Sequence, residues 1–380
     1  MAGTAVVSAA FKEGLEDIVA ATSSICFIDG VQGRLIYEGY SIDELAEHST
    51  FEETAYLLWN GALPSRSQLD GFSSQLLENR GIPDSVYSML RTSPKSAHPM
   101  GVLRSAVSFL GLTDPEADNN TPEANKRKAL RLLAKIPVIV TTHHRLRNGL
   151  APVPPSSSLG YAGSFLYMLN GTKPEKRQER VFDVCLILHA DHEFNASTFA
   201  GRVTAATLSD MYSAVTSAIG ALKGPLHGGA NESVMKMLLE IGDVSNVDEY
   251  IHAALAAKKK ISGFGHRVYK TEDPRATVLR KMSKELGERI GNLRWYEMSV
   301  KIEKIVKEEK HLYPNVDFFS ASVYYTLGIP IDLFTPIFAI SRTAGWTAHI
   351  LEQYAHNRLI RPLAEYTGPV DLHYEPIDRR

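Results

Sequence analysis

A stretch around His266 concentrates side chains that could bind an anion and move protons. Gly-Phe-Gly-His-Arg-Val-Tyr-Lys occupies positions 263–270, and Asp-Pro-Arg follows at 273–275. Two arginines and a lysine therefore surround one histidine. Guanidinium groups clamp carboxylates and phosphates through paired hydrogen bonds, so the stretch predicts a site for a multiply charged anion. A solvated basic loop is the simpler alternative.

A second histidine lies in a glycine-rich segment. Gly-Pro-Leu-His-Gly-Gly-Ala-Asn occupies positions 224–231, and glycines allow the backbone to approach a ligand closely. Asn231 is the predicted cap of the helix that follows, which places His227 at a helix N-terminus. The positive end of a helix dipole disfavours imidazolium, so His227 could donate a hydrogen bond to a carbonyl oxygen as a neutral ring. The alternative is a glycine turn with an incidental histidine.

Three further charged residues stand among apolar neighbours. Asp317 lies in Asn-Val-Asp-Phe-Phe-Ser at 315–320, and an apolar setting raises a carboxyl pKa and makes the group more basic. From this fragment alone, a surface aspartate that precedes a helix is the simpler interpretation. Arg342 and Arg361 also have apolar surroundings, where charges seldom stand unpaired.

A metal site is a weaker possibility. In His-Ala-Asp-His-Glu at 189–193, His189, His192 and Glu193 could face one side of a helix. The segment is not the His-Glu-x-x-His zinc pattern, and the residues after it add no ligand. Buried, hydrogen-bonded polar groups are the commoner outcome for such a segment.

Helices are the predicted scaffold for these groups. Capping boxes begin at Ser41 and Thr50, and an N-cap followed by proline begins helices at Asp273 and at Thr335. The one predicted β element is a small hairpin within 24–40, around a glycine-rich turn. Because strands do not alternate with helices, a parallel α/β sheet is disfavoured and an all-α fold is expected.

Composition excludes several classes of protein. The chain has 380 residues, 44% hydrophobic and 22% charged, and a net charge of −2, whereas nucleic-acid-binding proteins are usually strongly basic. With only Cys26 and Cys185, a disulfide framework is not expected. No apolar run is long enough to span a membrane, and residues 1–12 lack the features of a signal peptide. The predicted location is the cytoplasm.

Taken together, the segments at 224–231, 263–275 and 315–318 resemble the citrate synthase family in sequence, order and spacing. The segment His-Ala-Asp-His-Glu-x-Asn-Ala-Ser-Thr at 189–198 and Arg-Pro-x-x-x-Tyr-Thr-Gly at 361–368 resemble it too. The resemblance covers nearly the whole chain, and the length is similar to the short bacterial and archaeal type, which includes 2-methylcitrate synthases.

The resemblance implies an almost all-α, two-domain fold with a small N-terminal β-hairpin, assembled as a homodimer. Residues 1–221 and 323–380 would form the large helical domain, which dimerises. Residues 222–322 would form the small helical domain, which binds CoA and closes over the site.

The resemblance also implies residue roles. Asp317 would take a methyl proton from acetyl-CoA while His227 hydrogen-bonds the thioester oxygen, and His266 would bind and protonate the oxaloacetate carbonyl. His192, Arg275, Arg342 and Arg361 would bind oxaloacetate or citrate, with Arg361 reaching in from the other subunit. The implied CoA contacts are Arg267, Lys270, Lys258 and Phe264.

The implied reaction is the condensation of acetyl-CoA with oxaloacetate and the hydrolysis of citryl-CoA, an acyltransferase step of the tricarboxylic acid cycle. It needs a base and two hydrogen-bond donors, so no metal or cofactor is expected. One rival is a 2-methylcitrate synthase, which uses propionyl-CoA, because one methylene gives only about 1 to 3 kcal/mol of discrimination. Another is a non-catalytic CoA- or carboxylate-binding protein on the same scaffold.

Overall fold

The fold is known from a computed structural model that describes residues 12–16 and 18–380. Residues 1–11, on which the prediction of no signal peptide rests, lie outside the described part. The predicted all-α class is confirmed, because helices dominate the described residues. The helices are α1 (Ile42–His48), α2 (Phe51–Asn60), α3 (Arg66–Glu78), α4 (Asp84–Thr92), α5 (Pro99–Thr113), α6 (Pro122–Arg147), α7 (Tyr161–Asn170), α8 (Lys176–His189), α9 (Ala196–Ala205), α10 (Met211–Leu222), α11 (Ala230–Ile241), α12 (Val247–Ala256), α13 (Pro274–Ile290), α14 (Arg294–Lys310), α15 (Val316–Thr326) and α16 (Phe334–Ala355).

The predicted hairpin is confirmed and is one strand larger than expected. Strands β1 (Cys26–Asp29), β2 (Arg34–Tyr37) and β3 (Tyr40–Ser41) form an antiparallel sheet in that order. The turn between β1 and β2 packs against residues 268–272. A Cβ on Gly30 would lie 2.2 Å from the Val268 carbonyl oxygen, so only glycine fits there.

Local capping chemistry explains why several helices begin where they do. The side chains of Ser41, Thr50 and Asp273 each accept a hydrogen bond from a backbone N–H in the first turn of α1, α2 and α13. Gly61 and Gly291 follow α2 and α13 in the left-handed conformation that ends a helix. The predicted starts at Ser41, Thr50 and Asp273 are confirmed.

Two predicted helix starts are wrong. Thr335 does not cap α16, which begins one residue earlier, and its hydroxyl lies 3.1 Å from the Gly228 carbonyl oxygen. Asn231 lies inside α11 rather than before it, fully buried, with Oδ1 accepting from the Glu232 N–H at 2.8 Å. The Thr335 hydroxyl serves a distant contact, and the Asn231 side chain bonds an N–H of the first turn from a position inside the helix.

Helix α16 is the centre of the core. It is buried from Phe334 to Ile350 and packs against α2, α6, α8, α9 and α10. The strongly apolar segment 181–188 belongs to the buried helix α8. No helix of the described residues is both long and apolar enough to cross a membrane.

The last 25 residues, 356–380, form an arm after α16 that is almost entirely exposed. Apart from a 3₁₀ turn at Ile377–Arg379, this C-terminal arm has no regular structure. It carries large apolar side chains that are well over half exposed, among them Leu363 and Tyr374 at 85% and 82%. Exposed apolar side chains in such number are typical of a surface that another chain covers.

Candidate active site

Two glycines shape the His266 loop, residues 263–270. Gly263 and Gly265 have φ of 83° and 80°, a conformation that L side chains rarely adopt. The Gly265 N–H donates to the Tyr313 carbonyl and the Asn315 N–H donates to the Gly263 carbonyl, each at 2.9 Å. The loop is therefore fastened to the residues just before α15, the helix that carries Asp317.

His266 is held as a neutral ring with one donor free. Its Nδ1 accepts from the backbone N–H groups of Val268 and Tyr269 at 3.0 and 3.2 Å, so the ring proton is on Nε2. Burial and the positive charge of Arg275 lower the pKa of His266 to about 4. At neutral pH it can donate a hydrogen bond without carrying charge.

His192 lies beside His266, and the family resemblance implied that both belong to one site. The two ring centroids are 5.1 Å apart, and His192 Nε2 is 3.3 Å from the Tyr269 hydroxyl. Burial, followed by the positive charge of Arg275, lowers the pKa of His192 well below its usual value. Tyr269 contacts both histidine rings, and no sequence pattern indicated this role.

The metal alternative gains no geometric support. His189 is fully buried, with Nδ1 2.8 Å from the Cys185 carbonyl oxygen and its ring against Phe338. Across residues 12–16 and 18–380, no group of three His, Cys, Asp or Glu side chains is placed to hold a metal ion.

His227 faces the N-terminus of α9, not that of α11, which follows it in sequence. The Ser197 backbone N–H donates to His227 Nε2 at 3.3 Å, and the Ser197 hydroxyl lies 2.8 Å from the same nitrogen. Because a backbone N–H can only donate, Nε2 accepts and the ring proton is on Nδ1. Burial and then the Arg342 charge lower the pKa of His227 to about 4. The expected neutral histidine is present, but Ser197 was not predicted as its partner.

Asp317 is a buried carboxyl with unused hydrogen-bonding capacity. It lies in the first turn of α15, is 8% exposed, and its Oδ1 has no hydrogen-bond partner among the described residues. Burial raises the pKa of Asp317 to about 7, although the charges of Arg275 and Arg342 oppose this rise. The interpretation as a surface aspartate is wrong, and a carboxyl of this kind can act as a general base near neutral pH.

Two buried guanidinium groups complete the site. Arg275, 2% exposed, donates from Nε and Nη2 to both oxygens of Asp273 at 2.9 and 2.7 Å. Arg342, 1% exposed, donates from Nε to the His189 carbonyl at 2.7 Å, while its Nη1 has no partner among the described residues. A buried cation with a free N–H suits an anionic ligand, because burial makes an unpaired charge costly.

The other predicted residues lie at the surface or at its edge. Arg267, Lys270 and Lys258 are exposed, and Phe264 packs on Phe318 with ring centroids 4.6 Å apart. Arg361 lies exposed in the C-terminal arm, so a single chain does not bring it into the cluster of buried site residues. The described chain thus unites His192, His227, His266, Asp317, Arg275 and Arg342 and leaves Arg361 outside.

Known proteins are similar to this chain in both sequence and fold. The model of the family described as citrate synthase, C-terminal domain, matches residues 14–363. Citrate synthase 2 of Bacillus subtilis is 56% identical over 97% of this chain and 98% of its own length. A 2-methylcitrate synthase of Mycobacterium tuberculosis is 45% identical over 94% of this chain and 90% of its own.

A solved structure agrees with the sequence relatives. The ternary complex of the Thermoplasma acidophilum citrate synthase with carboxymethyl coenzyme A and oxaloacetate superposes with a TM-score of 0.92 and 35% identity, covering 97% of this chain and 99% of that one. A match over almost the full length of both chains, in sequence and in fold, identifies an enzyme of this type: the chain belongs to the citrate synthase family.

Proposed function

We propose that this chain condenses acetyl-CoA with oxaloacetate and hydrolyses the resulting citryl-CoA to citrate and CoA. The observation that carries this proposal is Asp317, a buried carboxyl with a free oxygen and a pKa of about 7, in one site with neutral histidines. A non-catalytic carboxylate-binding protein has no need of such a base. Family relatives named citrate synthase support the choice of acetyl-CoA.

The groups present match the steps of that reaction. Asp317 takes a proton from the acetyl methyl group, and His227 Nδ1–H donates to the thioester oxygen as it becomes an enol. The enol carbon then forms a bond to the oxaloacetate carbonyl carbon, and the displaced C=O electron pair takes the Nε2 proton of His266. The proton held by Asp317 restores the neutral ring of His266 by way of solvent, so the condensation consumes no net proton. Water cleaves the C–S bond and releases CoA as the thiol. Donors fixed before the reaction stabilise the developing charge without reorganisation.

Oxaloacetate carries two carboxylates, and the buried cations suit them. Arg342 has an Nη1 group without a partner among the described residues. Arg275 uses its Nε and Nη2 groups to bind Asp273, which leaves its Nη1. We therefore place a substrate carboxylate beside the Nη1 group of each arginine. His192 adds a neutral ring beside His266. These side chains can hold the ketone against the donor of His266.

For CoA, we propose contacts with Arg267, Lys270 and Lys258 and an adenine boundary near Phe264. All three cations are exposed, Arg267 and Lys270 on the His266 loop and Lys258 just after α12, so they can bind phosphates without blocking the buried groups. Lys270→Glu is expected to raise the KM for acyl-CoA and leave that for oxaloacetate unchanged. Lys304→Glu, an exposed lysine on α14, is the matched control.

We further propose a homodimer in which Arg361 completes the partner's site. The exposed apolar C-terminal arm supports this, because it leaves the body of its own chain with Arg361 near its start. Co-expression of an Arg361→Ala chain with a His266→Ala chain tests the idea. In the mixed dimer one site receives both residues, so activity absent from either parent dimer should return. No recovery, from mixed dimers that do form, would overturn the shared site.

We also propose that residues 222–322 act as the closing domain. Residue 222 is the last of α10, and residue 322 lies within α15, so the proposed domain spans α11 to most of α15. A location in the cytoplasm and a place in the tricarboxylic acid cycle remain predictions.

The proposed chemistry uses only side chains, so full activity is expected in excess chelator, and its loss would point to a metal.

Thiol release from acyl-CoA, with and without oxaloacetate, is the decisive test. Release that depends on oxaloacetate, with a higher kcat/KM for acetyl-CoA than for propionyl-CoA, supports the proposal. A higher kcat/KM for propionyl-CoA would assign the chain to 2-methylcitrate synthesis, the activity named for the Mycobacterium tuberculosis relative. If folded protein releases thiol from neither acetyl-CoA nor propionyl-CoA, that result would contradict the proposed chemistry.

A further inference from the structure

The loop that carries His192 has an unfavourable backbone. Residues 190–195, here called the His192 loop, connect α8 to α9 without regular structure. Glu193 has a φ of 53°, which is uncommon for a residue other than glycine. Such a conformation persists only when surrounding contacts determine it. The contacts that hold this loop therefore also determine where His192 lies.

Two of those contacts are made to the backbone of the loop. The Tyr37 hydroxyl donates to the Asp191 carbonyl at 2.8 Å and accepts from the Asp191 N–H at 3.1 Å. On α16, the Gly345 N–H donates to the Ala190 carbonyl at 3.1 Å. A Cβ on Gly345 would lie 2.4 Å from that same oxygen and 2.3 Å from Asp191 Oδ1, so α16 touches the loop directly.

The third contact is a histidine that the proposed chemistry does not use. His349 and Asp191 are both fully buried, and His349 Nε2 lies 3.1 Å from Asp191 Oδ2. On the other side of the ring, Arg202 Nη1 lies 3.3 Å from His349 Nδ1. A guanidinium can only donate, so Nδ1 accepts, and the ring proton is on Nε2 and directed at Asp191. The His349 ring also packs edge-on against Phe194 of the same loop, with centroids 5.5 Å apart.

His349 lies on the face of α16 that also carries Arg342. Positions 342, 345 and 349 are three, four and seven residues apart, the spacing of one helical face. Helix α16 therefore places Arg342 in the site and also contacts the His192 loop through Gly345 and His349. A change at His349 alters the placement of His192 relative to Arg342 without touching either side chain.

We propose that His349 is a positioning residue for oxaloacetate: by donating its Nε2–H to Asp191, it fixes His192 relative to Arg342. This inference rests on the proposed function, in which His192 and Arg342 bind oxaloacetate. It assigns no contact between His349 and substrate. Acyl-CoA binding, which involves other residues of the chain, does not depend on it.

Matched amide variants test the proposal. In His349→Gln the amide nitrogen reaches the position of Nε2 and keeps the donor toward Asp191. In His349→Asn the shorter amide lies at the position of Nδ1 and faces Arg202 instead. His143→Leu is the control, since His143 is a buried histidine of α6 whose ring nitrogens have no partner among the described residues.

The expected result separates the two substrates. His349→Asn should raise the KM for oxaloacetate by about 10- to 100-fold, the size expected when one hydrogen bond to a charged ligand is lost, with the KM for acyl-CoA changed less than about twofold. His349→Gln should stay close to the wild type, and His143→Leu should change neither KM. Hydrogen exchange at residues 190–195 should increase in the asparagine variant only.

Three outcomes would overturn the proposal. Equal oxaloacetate KM values for the two His349 variants would remove the Nε2 donor as the cause. Equal rises in both substrate KM values would indicate general damage to the fold. Absence of oxaloacetate-dependent thiol release from the wild type would overturn the proposed function and, with it, the role of His349.

Discussion

Replacing Asp317 by asparagine should abolish turnover and at the same time stabilise the protein. The carboxyl is 8% exposed and one of its oxygens has no partner among the described residues, so its charged form is poorly solvated. Burial raises its pKa from 3.8 to about 7. Asparagine keeps the shape but carries no charge to desolvate and cannot act as a base.

The sign and size of the stability change follow from proton linkage. Between pH 3.8 and about 7, the unfolded carboxyl is ionised while the folded one holds its proton, so the stability of the wild type falls as pH rises through this window. The whole shift corresponds to about 4 kcal/mol. About 2 kcal/mol of it develops between roughly pH 5.5 and pH 8.5, so the advantage of Asp317→Asn should grow by about that amount.

Urea denaturation of the wild type and the variant across this pH range measures the difference. Asp118→Asn, at an exposed aspartate, is the control and should show no growing advantage. Thiol release, measured in parallel, should fall by more than about a thousandfold in Asp317→Asn, since proton removal loses its base. A stability difference that is flat with pH, or that shrinks, would refute the argument from burial. Retained turnover would refute the role as base.

Three other substitutions test the supports of the site. Asp273→Asn leaves a buried guanidinium without its partner and should lower the free energy of unfolding by about 3 to 5 kcal/mol in urea denaturation; no loss would mean that the pair is not needed. Ser197→Ala removes the hydroxyl 2.8 Å from His227 Nε2, so kcat should fall about tenfold with little change in the KM for oxaloacetate. Gly263→Ala should lower stability by at least about 2 kcal/mol, because φ is 83° and a Cβ would lie 2.8 Å from a neighbouring side chain, whereas Gly71→Ala, in open space on α3, should not.

The sequence predicted the fold best where the local structure depends on residues that are adjacent in the chain. The caps at Ser41, Thr50 and Asp273 and the hairpin turn are set within four or five positions, and all were found. Thr335 misled because its hydroxyl has a partner more than a hundred residues away, at Gly228, which local pattern cannot reveal.

The same limit applies to the site. The fragment around Asp317 favoured a surface aspartate, so its burial was not predicted, whereas an anion site around His266 could be predicted from the glycines and basic residues beside it. The role of Ser197 could not be predicted, because it lies 30 residues before His227 in the chain. The two residues meet only because His227 contacts the N-terminus of α9, the helix that carries Ser197. Supporting contacts are mostly long-range, so sequence identifies the reacting groups before it identifies what holds them.

The distribution of the site residues along the chain gives the proposed closure a chemical purpose. His192 and Arg342 lie outside the proposed closing domain, whereas His266 and Arg275 lie inside it, so oxaloacetate would bridge the two parts. The described chain joins them, since the Lys270 N–H donates to the Gly30 carbonyl of the hairpin at 2.8 Å. Separation of the parts would break this bond and pull His266 away from His192. A reactive enol would then form only in a site that both substrates have drawn together, which keeps water from the intermediate until the new carbon–carbon bond exists.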